Sequence, residues 1–262
     1  MEIHKENCHI CGRYTELTYE HVPPKAALNH RPVKVFSGLE IIEQQRKKII
    51  PDTFELKYQN RQQGAGKYTL CQKCNNNTGA YYAKHYVHFS NSLFDHLSTE
   101  YSDYENQESK IGDKYPKLKF VTKNINHLAF FKQIIAMFCS TSRFNTYNDD
   151  FREFLLNKDS TSFDQNRWMV SIYINTGTRC GTAGLTTTVL KDNKFLRTAE
   201  IVTVPLGIIL YDLEASDMIK SHLFGCGITA LSQIPYNSDQ QIAFELPYNK
   251  GAKFIPGFYE MK

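Results

Sequence analysis

Two pairs of cysteines are the residues of this 262-residue chain whose spacing most plainly predicts chemistry. They are Cys8-His-Ile-Cys11 and Cys71-Gln-Lys-Cys74, and in each pair two thiolates stand on one tight turn. Together the four thiolates can complete the tetrahedral shell of a structural zinc site. The 59 residues between the pairs exceed the roughly 15–20 of a compact zinc ribbon, so the metal would close a long loop with elements of its own. A redox pair is the alternative, but it needs a βαβ context that this sequence does not predict.

A second set of polar residues lies inside this loop and directly after it. Glu20 and His21 precede the stiff segment Val22-Pro-Pro24, and Asn75 and Asn76 follow the second pair at the predicted start of a helix. Glu20 offers a hard oxygen to a divalent cation, and His21 offers a base that titrates near neutral pH. Neighbouring side chains of a strand point to opposite faces, so a bend is needed for both to reach one site. The two asparagine amides can either cap the helix or ligate a metal.

The order of these motifs resembles the HNH, or ββα-metal, nuclease family in its zinc-knuckle form. The matching string is a CxxC pair, then Glu20-His-Val-Pro-Pro24, then Leu70-Cys-Gln-Lys-Cys-Asn75. The resemblance covers roughly the first third of the chain and none of its second half. It implies a metal-dependent endonuclease that hydrolyses phosphodiester bonds, with DNA as the expected substrate and a microbial defence or restriction role.

The resemblance also implies a role for each matching residue. Glu20 would ligate the catalytic metal, His21 would be the general base that activates water, and Asn75 would be the second protein ligand, with Asn76 as its rival. Mg²⁺ or another divalent cation would be the catalytic metal. Zn²⁺ on the four cysteines would only hold the scaffold.

Three departures from the family pattern affect the metal shell. Glu20 stands where an aspartate is more usual, and the basic residue that commonly follows the last ligand is absent. The middle asparagine of the family name has no clear counterpart, although Asn60 is a candidate. His85, nine residues after Asn76, is an alternative third ligand.

A basic excess between His21 and Ser90 predicts contacts to phosphates. This region has 11 Lys and Arg residues against 4 Asp and Glu, while the whole chain carries a net charge of only +4. An ordinary solvated face is the alternative. No base-reading motif is present, so the sequence predicts no specificity, and a protein partner or an oligomer stays open. The predicted nucleic-acid-binding residues are Lys25, Arg31, Arg46, Lys47, Lys48 and Arg61.

A rival function keeps the zinc but not the catalysis. In that hypothesis the chain is a zinc-structured module that binds nucleic acid or protein, and Glu20 and Asn75 are ordinary surface residues. A third hypothesis makes the second half a ligand sensor that controls the first half.

The surrounding pattern predicts an α+β fold in two domains. Residues 1–98 would form the zinc-stapled ββα-metal nuclease-like domain, 99–123 a linker, and 124–262 an α+β domain with a mainly antiparallel sheet. Helices are expected over 78–97, over 124–139, after Asp149 and Asp150, and near 215–224. Strands are expected over 169–174, 185–190, 199–204, 206–211 and 241–246.

Composition sets outer limits on function. Apolar residues make up 41% of the chain and charged residues 22%, which is typical of a globular protein with a core. No apolar run approaches the roughly 18 residues of a membrane helix, and the N-terminus has no secretory pattern. The sequence therefore predicts a cytoplasmic protein that does not contact membranes.

Overall fold

A helical segment and a seven-stranded sheet enclose most of the core in the computed structural model of this protein. The structure describes residues 3–38, 43, 57–104, 117–177, 179–189, 193–217, 223–238, 240–253 and 259–261. Within these ranges helices and mainly antiparallel sheets are mixed along the chain, which confirms the predicted α+β class.

The strands of the described residues are β1 (Lys5–Asn7), β2 (Tyr14–His21), β3 (Val33–Phe36), β4 (Tyr58–Arg61), β5 (Gly66–Cys71), β6 (Lys117–Val121), β7 (Trp168–Asn175), β8 (Gly181–Val189), β9 (Phe195–Val202), β10 (Leu206–Asp212), β11 (Cys226–Gly227), β12 (Ala243–Asn249) and β13 (Tyr259–Met261). The α-helices are α1 (Gln72–Thr78), α2 (Lys84–Tyr104), α3 (His127–Thr141) and α4 (Asn148–Leu156).

The first sheet carries the motif residues. Its order is β1-β2-β5, and β2 pairs antiparallel with β5 from Leu17 opposite Cys71 to His21 opposite Gly66. The register shifts between Thr18 and Tyr19, an irregularity that twists a strand locally and re-aims its side chains. A second small sheet has the order β13-β3-β4.

One nearly continuous helical segment follows β5. Helix α1 begins directly after Cys71, a π-helical turn spans Gly79–Ala83, and α2 continues to Tyr104. The helix therefore starts six residues earlier than predicted and ends later. Its inward face holds a row of buried side chains with helical spacing, namely Tyr82, Tyr86, Phe89 and Leu93.

Helix α3 is the centre of the core. All fifteen of its residues are buried, and the Phe130 ring stacks on Phe89 of α2 with centroids 4.3 Å apart. The predicted helix over 124–139 is thus present, starting at His127 with Asn126 as its N-cap. The next helix was expected after Asp149 and Asp150 as its capping residues, but α4 begins earlier, at Asn148, with Tyr147 at its N-cap and no side-chain cap bond.

The large sheet follows the order β6-β12-β7-β10-β9-β8, with β11 paired to β7. Its pairs are antiparallel except for β12 against β7. The strands predicted over 169–174 and 206–211 lie inside β7 and β10. Those predicted over 185–190, 199–204 and 241–246 overlap β8, β9 and β12 without matching their bounds. Of the helix predicted near 215–224, residues 218–222 lie outside the described part of the chain, and 215–217 and 223–224 are not helical.

One hydrophobic core joins both halves of the chain. The same cluster contains Cys8 and Leu70 of the N-terminal part and Ile135 and Ile208 of the C-terminal part. Within the predicted linker, α2 continues to Tyr104 and 117–121 form β6, while 105–116 lie outside the described residues. The division into two domains therefore stays a prediction. None of the described helices has the length and apolar character of a membrane span.

Candidate functional site

The four cysteines of the two pairs converge on one point. Cys8 and Cys11 lie in the turn between β1 and β2, which closes through the Gly12 N–H to the Cys8 carbonyl. Cys71 ends β5 and Cys74 lies in α1. Gly12 has φ 75°, a left-handed conformation that suits glycine.

The geometry of this cluster fits a structural metal ion such as zinc. All four Sγ atoms lie within 4.8 Å of one another, and those of Cys11 and Cys71 are 3.8 Å apart. A tetrahedral shell with Zn–S bonds of about 2.3 Å has sulfur–sulfur edges of about 3.8 Å, so the shell would form with little movement. Three of the cysteines are buried and Cys11 is half-buried, as expected for a closed structural site.

The thiol environment also favours thiolate at Cys8. A hydrogen bond from the Cys74 thiol lowers the pKa of Cys8 to about 4, against the opposing effect of burial. The backbone N–H of Cys71 donates to Cys8 Sγ at 3.3 Å. The pKa of Cys74 is raised by the same thiol contact and by burial. A metal ion would take the place of the shared protons.

The histidine inside the first pair has a packing role. The His9 ring donates from Nδ1 to the Cys139 carbonyl at 2.9 Å, which ties the cysteine turn to the end of α3. His4 stacks on Tyr68 with ring centroids 3.9 Å apart.

A cavity of about 260 Å³ opens at the other end of the β2–β5 pair. Glu20 and His21 of β2 and Asn75 of α1 all line it, so the structure brings these three predicted site residues together. The full lining is Tyr19, Glu20, His21, Pro24, Lys25, Asn75, Gly79 and Ala83.

Hydrogen bonding selects the tautomer of His21. Its Nε2 lies 2.8 Å from the Gln63 carbonyl oxygen, which can only accept, so Nε2 carries the proton. Nδ1 is then the basic nitrogen of the neutral ring. Burial lowers the pKa of His21, opposed by the bond to Gln63 and assisted by the charge of Lys25. The neutral form is the one that can accept a proton from water.

Glu20 is a buried acid without a described cationic partner. Its residue is 8% exposed, and burial raises its pKa to about 8. A nearby cation would reverse that shift, because an opposite charge favours the carboxylate. Asn75 donates from Nδ2 to Thr18 Oγ1 at 2.9 Å, and its Oδ1, the atom that ligates cations, takes no part in that bond.

Two rival metal ligands lie outside the cavity lining. Asn76 is exposed on α1. His85 accepts the Asn126 backbone N–H at its Nδ1 over 3.2 Å, and burial lowers its pKa to about 4.

The predicted phosphate-binding residues are spread around this region. Lys25 and Arg31 are exposed, and Lys25 lines the cavity. Arg61 is half-buried and donates a hydrogen bond to the Gly66 carbonyl. Arg46, Lys47 and Lys48 lie outside the described residues.

Sequence reasoning missed the residue that braces the cavity. Asn29 is 4% exposed and donates from Nδ2 to the carbonyls of Pro23 and Ala65 at 2.7 and 2.8 Å, while its Oδ1 accepts the Ala65 N–H at 2.7 Å. It thus joins the segment after His21 to the turn before β5. The predicted candidate Asn60 is exposed on β4. An asparagine near a proline bend is too common a pattern to have identified Asn29 beforehand.

Comparison with known proteins gives no relative for this arrangement. No family model matches the chain, and no curated protein and no solved structure gives a significant match.

Proposed function

We propose that this protein is a metal-dependent endonuclease of the HNH type that hydrolyses phosphodiester bonds in DNA. The observation that carries the proposal is the convergence of Glu20, His21 and Asn75 on one cavity between the end of β2 and the start of α1. The four-cysteine cluster at the other end of the β2–β5 pair supports the same assignment, because its two cysteine pairs bracket Glu20 and His21 in the sequence. In this proposal zinc occupies the cysteines and only maintains the fold.

The chemistry assigned to each side chain follows from its contacts. His21 takes a proton from the attacking water at Nδ1, while the Gln63 carbonyl holds Nε2–H and orients the ring. Glu20 and Asn75 offer carboxylate and amide oxygens to a hard divalent cation such as Mg²⁺. When bound, that cation supplies charge stabilisation at the scissile phosphate and at the leaving 3′ oxygen. Lys25 contributes a positive charge at the mouth of the cavity.

A cleavage assay with matched variants tests the proposal. Wild type, His21→Ala, Glu20→Ala and the control His30→Ala are incubated with supercoiled plasmid, single-stranded DNA and RNA under Mg²⁺, Mn²⁺ or EDTA. His30 is an exposed histidine outside the cavity lining, so its variant should cut as fast as wild type. His21→Ala should be about 10²–10⁴-fold slower with unchanged zinc content, as expected for loss of a general base.

Glu20→Ala should respond differently from His21→Ala. Loss of a metal ligand weakens cation binding, so excess Mg²⁺ should restore part of its activity. Products should carry 5′-phosphate and 3′-hydroxyl ends. If His21→Ala cuts as fast as wild type, the active-site assignment is wrong. If wild type binds DNA but cuts none of these substrates with either metal, the non-catalytic zinc module becomes the better account.

A further inference from the structure

A second cavity lies next to the segment that follows the candidate active site, because Val22, the residue after His21, belongs to its lining. It has a volume of about 70 Å³ and forms where β4, the start of β5, the end of α3 and the start of β8 meet. Its apolar walls include Val22 and Ala65. Its polar lining residues are Arg61, Lys67, Ser140, Thr141 and Thr182.

The charge in this cavity is entirely positive among its described lining residues. Arg61 and Lys67 stand at its rim, half-buried and exposed respectively, and neither forms an ion pair with a described carboxylate. Among the described residues Arg61 donates one hydrogen bond, to the Gly66 carbonyl, which leaves other guanidinium N–H donors for a ligand. Two neighbouring cations without an acid between them favour an anion.

A buried hydroxyl without a partner provides independent evidence for a ligand. Ser140 is 2% exposed, and its Oγ has no hydrogen-bond partner in the described part of the chain. An orphaned buried hydroxyl is costly unless a ligand or a water satisfies it. Next to it, Thr141 Oγ1 donates to the Phe138 carbonyl.

The end of α3 does not oppose an anion as strongly as a bare helix C-terminus would. Terminal carbonyls carry partial negative charge, which disfavours anions nearby. Here the Phe138 carbonyl accepts from the Ser142 N–H, and the Cys139 carbonyl accepts from His9. Both acceptors are therefore already engaged.

We propose that this cavity binds a backbone phosphate of the nucleic acid that flanks the scissile phosphate. Arg61 and Lys67 would supply the positive charge, and Ser140 would donate a hydrogen bond from its hydroxyl. The position favours this ligand, because Val22 lines this cavity while the adjacent His21 lines the other. The inference rests on the proposed function for the identity of the ligand.

The test measures binding without cleavage, in a His21→Ala background without added divalent cation, so that the structural zinc stays in place. Fluorescence anisotropy of a labelled duplex gives the dissociation constant over a range of salt concentrations. Each lost phosphate contact lowers the slope of log K against log salt by about 0.9. Lys67→Gln and Arg61→Gln should each show that decrease, Arg61→Lys should retain the wild-type slope, and the control Lys84→Gln on α2 should not change it.

A hydroxyl variant separates the cavity from general surface charge. Ser140→Ala should weaken duplex binding by about 10-fold with zinc content and circular dichroism unchanged, since one hydrogen bond to a charged group is removed. Unchanged slopes in both Lys67→Gln and Arg61→Gln would overturn the proposal. The proposal would also be overturned if inorganic phosphate bound the wild-type protein without competing with the duplex. That result would assign the cavity to a free anion.

The outcome is distinguishable from failure of the proposed function. If these variants lose duplex affinity while wild type cuts nothing, the phosphate site stands and the nuclease assignment falls. If wild type cuts through His21 while the slopes stay unchanged, the nuclease stands and the phosphate site falls.

Discussion

Replacing Asn29 by alanine should destabilise the protein and disturb the candidate active site together. The Asn29 amide satisfies the Pro23 carbonyl and both polar groups of Ala65. After truncation the Ala65 carbonyl keeps the Val22 N–H as a donor at 3.0 Å, so two groups lose their partner: the Pro23 carbonyl and the Ala65 N–H. An unsatisfied buried group costs about 1–3 kcal/mol, so the loss of two partners should lower the free energy of unfolding by about 2–6 kcal/mol.

Urea denaturation of the zinc-loaded protein gives the measurement. Asn60→Ala is the matched control, because Asn60 is exposed on β4 and its loss should change stability by less than about 0.5 kcal/mol. Asn29→Asp keeps the volume but replaces both donated bonds by oxygen facing oxygen, so it should be no more stable than Asn29→Ala. If Asn29→Ala unfolds at the same urea concentration as Asn60→Ala, the bracing role is refuted.

Two further predictions concern the metal cluster and a buried lysine. Purified protein should contain one zinc per chain by elemental analysis. The Cys71→Ser variant should lose this zinc and part of its stability, because metal binding is coupled to folding. A folded wild-type protein without zinc would contradict the prediction. Lys132 is fully buried in α3, donates to the carbonyls of Phe154 and Asn157, and has a pKa that burial lowers to about 7. In the unfolded chain a lysine titrates near 10.5, so between pH 7 and 10 the unfolded chain binds more protons than the folded one. Lys132 therefore makes the free energy of unfolding rise with pH in that window, by up to about 1.4 kcal/mol per pH unit. Lys132→Met should flatten the rise in urea titrations at pH 7, 8 and 9, and equal slopes in both proteins would exclude this role for Lys132.

The elements with strong local patterns were predictable from the sequence. Strands β7 and β10 are runs of apolar and β-branched residues, and both are buried almost throughout. Helix α3 has an apolar residue at most positions, which indicates burial on every side. The convergence of the cysteine pairs was predictable for a different reason: two such pairs together supply the four thiolates that one tetrahedral metal site needs.

The bracing of the candidate site could not be predicted, because it uses backbone atoms. His21 is oriented by the Gln63 carbonyl, and any residue type at position 63 would offer the same oxygen. Asn29 contacts Ala65 across 36 positions, and no spacing rule connects the two. The register shift between Thr18 and Tyr19 likewise arises from strand pairing, which the sequence pattern does not reveal. Such a shift changes the directions in which the neighbouring side chains point.

The cysteine cluster and the candidate active site are coupled through one strand pair and one helix. Leu17 lies opposite Cys71 at the metal end of the β2–β5 pair, and His21 lies opposite Gly66 at the cavity end. Four residues of strand separate these ends, about 13 Å at 3.3 Å per residue. Helix α1 adds a shorter connection, because Cys74 and Asn75 are consecutive and α1 begins at the cluster. A metal on the cysteines would therefore hold the start of α1, the helix that carries Asn75. A nuclease built this way would lose its cation site when the cluster opens, even though no cysteine touches the reacting phosphate.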